Sequence, residues 1–414
     1  MSAPTQAPAL GRLLARPALR AIFEAIDGEG ETLRVVGGAV RDALLGVDPA
    51  EIDLATTATP QEILSRAKRA GLRAVPTGIE HGTATLLAGG ESFEVTSLRE
   101  DVETDGRRAK VRFGRDFRAD ALRRDFTLNA LSLSSDGLVH DYVGGLDDLL
   151  ARKVRFIGEP ARRVAEDYLR ILRFFRFSAG YARELDAEGF WACVAGRAGL
   201  ERLSRERVRA ELLKLAALDR AAEGFAAMGE AGLLAPLMGL APNPARLSGL
   251  LRAGVAIDPL MRLAALCVAT PEDAETLAGR LRLSRAEARR LAGAAAAAIA
   301  LRAARPCDEA ALRRIAYVHG RAAAIDGAAL AAEPDQVEAV KAGMRAAALP
   351  VSPFTGAHLV ERGLSGPAVG AALRGLEARW IAAGFPDDPA LAEAWICEAA
   401  RSRADARESR ESGA

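Results

Sequence analysis

The chain has 414 residues, half of them apolar, which is enough to bury a large core and too long for one ordinary domain. Its formal net charge is only +1, so any affinity for nucleic acid must come from local patches of charge. The four scattered cysteines form no C-x-x-C pair, which argues against zinc and against a disulfide framework. No apolar run reaches the ~18 residues of a membrane span, and no secretory signal opens the chain. We therefore expect a cytoplasmic protein with no membrane span.

The first predicted element is a helix that begins near Pro17. Ala18, Ile22 and Ile26 recur at helical spacing and would dock on a core. The surrounding segment 10–26 is acid-poor and bears arginine, so a transit peptide is the alternative.

The central stretch is residues 33–56, LRVVGGAVRDALLGVDPAEIDLAT. It predicts a buried strand at 33–36, a Gly37-Gly38 turn, a helix at 40–45, and a second strand that carries Glu51 and Asp53. A glycine turn that opens a helix lets a phosphate approach backbone N–H groups. Two carboxylates at i and i+2 of a strand project to one side and can share divalent cations. The stretch therefore predicts a site for a nucleoside triphosphate.

The remaining elements divide the chain into an α/β part and a helical part. The helix after Thr59-Pro60 is predicted to run to about Ala70. Further strands are predicted at 72–75, 84–88, 92–97, 128–133 and 138–140. The charged segment 101–120 is interpreted as a mobile loop near the active site. From Pro160 onward the 3.6-residue period predicts helices, with a core helix at 292–300 and a frayed C-terminal end. The fold class is α+β.

Glu51 and Asp53 are the first candidates for catalysis. Nucleotidyl transfer uses carboxylate-bound metal ions to activate a 3′-hydroxyl and to neutralise the triphosphate. Glu94, in the predicted strand ESFEVTSL, alternates to the same side as Thr96 and is a candidate third ligand from a neighbouring strand. Its alternative interpretation is a solvated strand end.

A second constellation is the segment 123–130, RRDFTLNA. Arg123 and Arg124 can bind a triphosphate, and Asn129 can hydrogen-bond a ribose hydroxyl. A surface ion pair is the simpler interpretation of an isolated RRD triplet.

A third constellation lies on a long helix predicted to begin at Pro160. At ~100° per residue, Glu166, Asp167, Arg170 and Arg173 fall on one face. They form either a salt-bridge ladder or a surface that recognises bases. Cytosine and adenine both present an amino donor beside an unprotonated ring nitrogen, so a carboxylate and a guanidinium can select CTP and ATP.

Taken in order, these motifs resemble the bacterial class II CCA-adding enzymes and poly(A) polymerases. The resemblance covers about residues 30–215 and rests on VVGGAVRDALLG, EIDLATTATP, TGIEHGT, FEVTSLREDVETDGRRAKVRFG, RRDFTLNAL, HDYVGGLDDL, RFIGEPARRVAEDYLRILRFFRF and LSRERVRAELLKL. It implies a nucleotidyltransferase head (1–150), a helical neck (151–215) and a helical body and tail (216–414). It also implies Mg²⁺ as cofactor, with tRNA, CTP and ATP as partners, and leaves the oligomeric state open.

The resemblance assigns a role to each candidate residue. The metal carboxylates would be Glu51 and Asp53, with Glu94 as a third acidic residue. The nucleotide-binding triphosphate site would be shaped by Gly37, Gly38, Arg41 and Asp42. Contacts with phosphate and ribose would come from Arg123, Asp125 and Asn129. Base selection would come from Asp167 and Arg170, supported by Glu166 and Arg173, with Glu206 and Arg207 bracing the neck.

One residue departs from the family pattern. The family commonly has aspartate at both metal positions, whereas this chain has Glu51 at the first. The extra methylene moves the carboxylate by roughly one bond length, and Mg²⁺ is strict about octahedral geometry. A reduced activity or a changed metal preference is the expected consequence.

Three alternatives remain open at this level. A poly(A) polymerase, or a CC- or A-only enzyme, would share the motifs, and a non-catalytic RNA-binding protein would explain Glu51 as decay of the metal site. The doublet His140-Asp141 lies within the head, so no metal-dependent phosphohydrolase domain is predicted. His81 is interpreted as a turn or core histidine.

Overall fold

The computed structural model describes residues 8–105, 108–304 and 307–411. The chain divides into two compact units, Met1–Leu237 and Met238–Ala414. The finer division into head, neck, body and tail stays a prediction.

All strands of the described residues lie in the first unit. They are β1 (Leu33–Val36), β2 (Asp53–Thr56), β3 (Arg73–Gly78), β4 (Thr83–Ala88), β5 (Glu91–Ser97), β6 (Arg99–Asp105), β7 (Arg108–Phe113), β8 (Ser132–Leu133) and β9 (Val139–His140). Seven of them form one sheet in the order β3-β4-β5-β2-β1-β8-β9, while β6 and β7 form a separate pair. Neighbours in the sheet are antiparallel, except that β2 and β5 are parallel.

The helices of the first unit are α1 (Pro8–Ala15), α2 (Pro17–Ile26), α3 (Gly38–Leu44), α4 (Pro60–Arg69), α5 (Phe117–Arg123), α6 (Gly145–Leu150), α7 (Pro160–Glu166), α8 (Leu169–Tyr181), α9 (Ala187–Gly196), α10 (Arg205–Ala216) and α11 (Ala221–Glu230). Short 3₁₀ turns occur at Ile79–His81, Thr127–Asn129 and Arg197–Arg202.

Local sequence signals explain the elements that agree with prediction. The α2 helix buries Ala18, Ile22 and Ile26 as their spacing predicts. The α4 helix begins with a capping box, in which the Thr59 side chain accepts from the N–H of Glu62 and the Glu62 carboxylate accepts from the N–H of Thr59.

Three predictions in the head are wrong. Glu51 does not belong to the second strand, because β2 begins at Asp53, opposite Val36, the last residue of β1. On the β1 side the partner strand turns at Gly37, directly after Val36, so Glu51 has no residue of β1 to pair with. The supposed mobile loop is instead the β6–β7 hairpin followed by α5, and its tip at 106–107 lies outside the described residues. The predicted strand at 128–133 also shortens to β8, behind the turn Thr127–Asn129.

The prediction of one long helix from Pro160 is also wrong, because the structure has two helices there, α7 and α8. Asp167 adopts extended backbone angles, φ −152° and ψ 108°. Its Oδ1 accepts the N–H of Leu169 at 3.0 Å and so starts a new helix. The next residue, Tyr168, lies over Gly199, where a Cβ would come within 2.0 Å of the ring. Packing of the Tyr168 ring against Gly199 therefore stabilises the interruption between α7 and α8.

An aromatic cluster packs α8 against the RRD segment. The ring centroid of Phe126 lies 4.8 Å from that of Phe156 and 5.4 Å from that of Phe177. Phe156 and Phe174 stack at 5.5 Å. The α8 helix is thereby fixed beside residues 123–129.

The regular secondary structure in the described residues of the second unit consists of helices joined by loops. Its helices are α12 (Leu234–Met238, starting in the first unit), α13 (Pro244–Arg252), α14 (Pro259–Cys267), α15 (Pro271–Leu281), α16 (Arg285–Ala303), α17 (Glu309–His319), α18 (Arg321–Ala331), α19 (Val337–Ala346), α20 (Gly356–Val360), α21 (Pro367–Ala382) and α22 (Pro389–Glu411). The predicted core helix is α16, which buries Ala294, Ala295, Ala297 and Ala298. Where composition predicts a frayed end, α22 stays helical to Glu411. Within the described part of the chain, no helix is long and apolar enough to cross a membrane.

Candidate functional site

Two carboxylates lie side by side where β2 and β5 pair. Asp53 and Glu94 are register partners in this parallel pair, and both side chains are exposed. Glu51 is also exposed and precedes Asp53 by two residues. Asp53 and Glu94 line a cavity of about 300 Å³, together with Asp120, Arg123 and Arg124. The structure therefore brings carboxylates and arginines together around one open space.

The electrostatics of Asp53 favour a bound cation. Although Asp53 reaches solvent, surrounding protein atoms partly desolvate its carboxyl and raise its pKa above the usual range, and the charge of Glu51 raises this pKa further. Arg124 opposes both effects and lowers it. A divalent cation held by Asp53 and Glu51 would relieve this repulsion, and carboxylate oxygens are the ligands Mg²⁺ prefers. Among the described residues no three His, Cys, Asp or Glu side chains converge, so the remaining ligands would be water or substrate oxygens.

The arginines of the RRD motif are held from two directions. Asp120, only 5% exposed, binds Arg123 and accepts from Arg124 Nε at 3.1 Å. Arg163 of α7 donates to the carbonyl of Arg123 at 2.6 Å and also to that of Arg124. The guanidinium groups are therefore positioned on the cavity wall before any ligand arrives.

The glycine turn is shaped around one of these arginines. Gly37 has φ +69°, and a Cβ there would lie 2.8 Å from Nη1 of Arg124. A Cβ on Gly38 would meet only Nη2 of Arg41, at 3.5 Å. Glycine at position 37 is thus required both by backbone conformation and by the close approach of Arg124.

Four other predicted residues form a buried chain of hydrogen bonds. Arg41 Nη1 donates to Asn129 Oδ1 at 2.6 Å, and Asn129 Nδ2 donates to Asp125 Oδ1 at 3.3 Å. Arg173 Nε of α8 donates to Asp125 Oδ2 at 2.6 Å. Arg41, Asp125 and Asn129 are each 8% exposed or less. These residues hold one another in place, with Asp42 beside Arg41 at 2.9 Å.

The two predicted base-recognition residues have different partners. Asp167 Oδ2 accepts from Arg207 Nη2 of α10 at 2.7 Å, which agrees with a bracing role for Arg207. Arg170 Nη1 donates to Glu166 at 2.6 Å and to the carbonyl of Arg163 at 2.8 Å. Asp167 and Arg170 therefore do not pair with each other in a ladder, and each is oriented by its own neighbour.

The histidines singled out in the sequence show no catalytic arrangement in the described residues. The Asp141 carboxylate accepts the backbone N–H groups of residues 143–146 and so caps α6. His140 Nε2 lies 3.2 Å from Ser134 Oγ. The side chain of His81 lies outside the described residues.

Sequence reasoning missed four supporting residues. Asp120 is spaced i+3 and i+4 from the arginines it holds, a pattern that could have revealed it. Arg163, Tyr181 and Glu211 have partners 35 or more positions away, so no local pattern points to them.

Comparison with known proteins agrees with this geometry. Residues 33–155 match the profile of the poly A polymerase head domain, and residues 186–244 match that of the probable RNA and SrmB-binding site of polymerase A. The chain is 42% identical over 263 residues to CCA tRNA nucleotidyltransferase 1, mitochondrial, of Danio rerio, covering 62% of this chain and 61% of that protein. It is 41% identical over 207 residues to the CCA-adding enzyme of Oceanobacillus iheyensis, covering 49% and 51%.

These matches span about half to three-fifths of the length of the curated relatives. The fold as a whole is similar to the crystal structure of the Bacillus stearothermophilus CCA-adding enzyme in complex with CTP. The TM-score is 0.74 at 26% identity, covering 94% of this chain and 99% of that one. With the two domain matches and this common fold, residues 33–155 form a poly A polymerase head domain, and the chain is similar in sequence and in fold to CCA-adding enzymes.

Proposed function

We propose that this chain is a CCA tRNA nucleotidyltransferase, which adds CMP, CMP and AMP to the 3′ end of tRNA and releases pyrophosphate. The observation that carries the proposal is one cavity lined by Asp53, Glu94, Arg123 and Arg124, whose two arginines are contacted through their backbone carbonyls by Arg163 of α7. Asp167 follows α7, and Arg170 lies in the first turn of α8. The names of its relatives, which act on tRNA, support the same activity. A cytoplasmic location fits this role.

Different residues of the cavity would bind the phosphates and the metal ion during the reaction. The tRNA 3′-hydroxyl loses its proton to water and its oxygen attacks the α-phosphate of the nucleotide. The bond from that phosphorus to the bridging oxygen breaks, and pyrophosphate leaves with the negative charge. Arg123 and Arg124 would bind the phosphates, since guanidinium groups suit bidentate contacts with phosphate. Asp53 and Glu51 would hold Mg²⁺, which supplies charge neutralisation and lowers the pKa of the hydroxyl.

Base selection would come from the neck. Asp167 and Arg170 present an acceptor and a donor, which match the amino group and ring nitrogen shared by cytosine and adenine. Uracil and guanine present a carbonyl and an N–H instead, so both contacts would be mismatched. The contacts of Asp167 with Arg207 and of Arg170 with Glu166 would limit the freedom of the two side chains.

A direct assay tests the proposal. Purified protein and Mg²⁺ are incubated with a tRNA that lacks its terminal CCA. Each nucleotide is added alone, and CTP and ATP are also added together. The products are sized on a sequencing gel. Growth by three nucleotides with CTP and ATP together is the expected result. Long tails with ATP alone would instead identify a poly(A) polymerase, and no incorporation of either nucleotide would reject the proposal.

Glu51 gives the first specific prediction. We expect Glu51→Asp to raise the rate of nucleotide incorporation in Mg²⁺, because the shorter side chain matches the family's usual geometry. We also expect the incorporation rates in Mn²⁺ and in Mg²⁺ to differ less in this variant than in wild type. Initial rates in the two metals measure this effect. If wild type and Glu51→Asp are both inactive in both metals, a non-catalytic RNA-binding protein is favoured.

Gly37 gives a second prediction with a matched control. Gly37→Ala places a side chain at φ +69° and displaces Arg124, whereas Gly46→Ala occupies φ +82° with no heavy atom within 4 Å. Both changes should lower stability by about 1–2 kcal/mol, because left-handed backbone is unfavourable for alanine. Only Gly37→Ala should also raise the KM for CTP. Equal KM values in the two variants would contradict a role for the turn in the nucleotide site.

A further inference from the structure

The two ends of α8 have different neighbours. Arg170 and Arg173 lie towards its beginning, whereas Tyr181 is its last residue. The ring of Tyr181 lies over the guanidinium of Arg41, 4.1 Å from the centroid, and its hydroxyl donates to Asp42 Oδ1 at 3.2 Å. Arg41 and Asp42 belong to α3, which opens at the glycine turn. The end of α8 therefore contacts the helix that follows the predicted phosphate site.

Arg41 is held on all sides by protein groups. It is only 6% exposed, and its Nη1 donates to Asn129 at 2.6 Å. Its Nε and Nη2 both lie 2.9 Å from Asp42 Oδ1. The Tyr181 ring covers one face of the guanidinium, and an aromatic face attracts a cation at this distance. Arg41 thus supports the site and is not free to bind phosphate directly.

These contacts attach α8 to the head at two points. Near its start, Arg173 donates to Asp125 at 2.6 Å; at its end, Tyr181 donates to Asp42. Asp125 and Arg41 are in turn joined through Asn129. The aromatic cluster already holds the middle of α8 against Phe126 and Phe156, so these two hydrogen bonds restrict the movement of its ends.

We propose that Tyr181 is a positioning residue that sets the distance between the base-recognition end of α8 and the glycine turn of α3. The inference rests on the proposed function, because it concerns the fit of one nucleotide between these two elements. Neither the ring nor the hydroxyl of Tyr181 is required to touch the nucleotide. Loss of the contact should loosen nucleotide binding and base discrimination together.

Two variants separate the contributions of the ring and the hydroxyl. Tyr181→Phe keeps the ring over Arg41 and loses the hydrogen bond, whereas Tyr181→Leu loses both. Tyr317→Phe is the matched control, because Tyr317 likewise donates to a carboxylate, Glu377 at 2.7 Å, but in the second unit. We expect the KM for CTP to rise about threefold in Tyr181→Phe and about tenfold or more in Tyr181→Leu, and to stay unchanged in the control.

The decisive measurements are those that a purely structural role would not change. The ratio of kcat/KM for CTP to that for UTP should fall in the order wild type, Tyr181→Phe, Tyr181→Leu. The Kd for CTP, measured calorimetrically without tRNA, should rise in the same order. Variants with a lower Tm but an unchanged ratio and Kd would overturn the inference. If wild type binds CTP and the variants bind it more weakly, but wild type adds nothing to tRNA, the proposed function fails while the positioning role stands.

Discussion

Replacing Asp53 by asparagine is expected to lower nucleotide incorporation about a thousandfold, because losing an anionic metal ligand removes several kcal/mol of transition-state stabilisation. The same change should not lower the Tm in the absence of divalent ions. The pKa of Asp53 is raised by burial and by Glu51, so its ionised form is disfavoured in the folded protein, and a neutral isostere removes that cost. Rapid-quench kinetics and thermal melts measure the two effects.

Metal binding gives a readout that does not depend on activity. Wild type should gain thermal stability when Mg²⁺ is added, and Asp53→Asn should not. Asp48→Asn is the matched control, because Asp48 lies five residues away in an exposed ion pair with Arg12 at 3.5 Å. Asp48→Asn should match wild type in its rate of nucleotide incorporation, in its Tm without divalent ions and in its gain of Tm when Mg²⁺ is added. Retention of more than a tenth of wild-type activity in Asp53→Asn would exclude Asp53 as a metal ligand in the reaction.

Elements with strong local signals could be predicted from the sequence. The strand at 33–36 is a short apolar run that ends at glycine, and the α4 helix begins at a Thr-Pro pair followed by Glu62. In each case the residues that determine the boundary are its immediate neighbours. The family resemblance extended these local predictions to an ordered set of site residues.

The errors occur where a boundary depends on distant residues. The start of β2 is set by the length of β1, so Glu51 could not be excluded from the strand by its own sequence. The break at Asp167 depends on the ring of Tyr168 lying over Gly199, and on Arg207, which is 40 positions away. Glutamate, aspartate and tyrosine are each compatible with a continuous helix. A pattern that considers one helix at a time therefore predicts no break.

The buried hydrogen-bond chain illustrates the same limit for the site. Arg41 and Asn129 are 88 positions apart, and Asp125 and Arg173 are 48 apart. Sequence reasoning assigned Asp125 and Asn129 to ligand contact, Arg41 to the shape of the triphosphate site and Arg173 to the support of base selection. In the structure the four residues bond chiefly to one another. Their pairing indicates that part of the predicted nucleotide site is a support for the residues that line the cavity.

The Arg173–Asp125 pair gives the largest expected effect on stability. Asp125 is 8% exposed, and its Oδ2 accepts from Arg173 at 2.6 Å. Arg173→Met should destabilise the protein by about 3 kcal/mol, because it leaves a buried carboxylate without its cation. Arg162→Met is the control: Arg162 is 79% exposed and pairs with Glu166 at 3.6 Å, so its loss should cost less than about 1 kcal/mol. Urea unfolding curves measure both.

A double variant separates stability from function. In Asp125→Asn the side-chain oxygen can keep its contacts with the N–H of Phe126 and with Asn129, while the new NH₂ group takes the place of Oδ2. Combined with Arg173→Met, it removes both charges, so most of the lost stability should return. Activity should not return, because the hydrogen bond that joins Arg173 of α8 to Asp125 is still absent. A double variant that regains both stability and CTP incorporation would show that the pair serves folding alone.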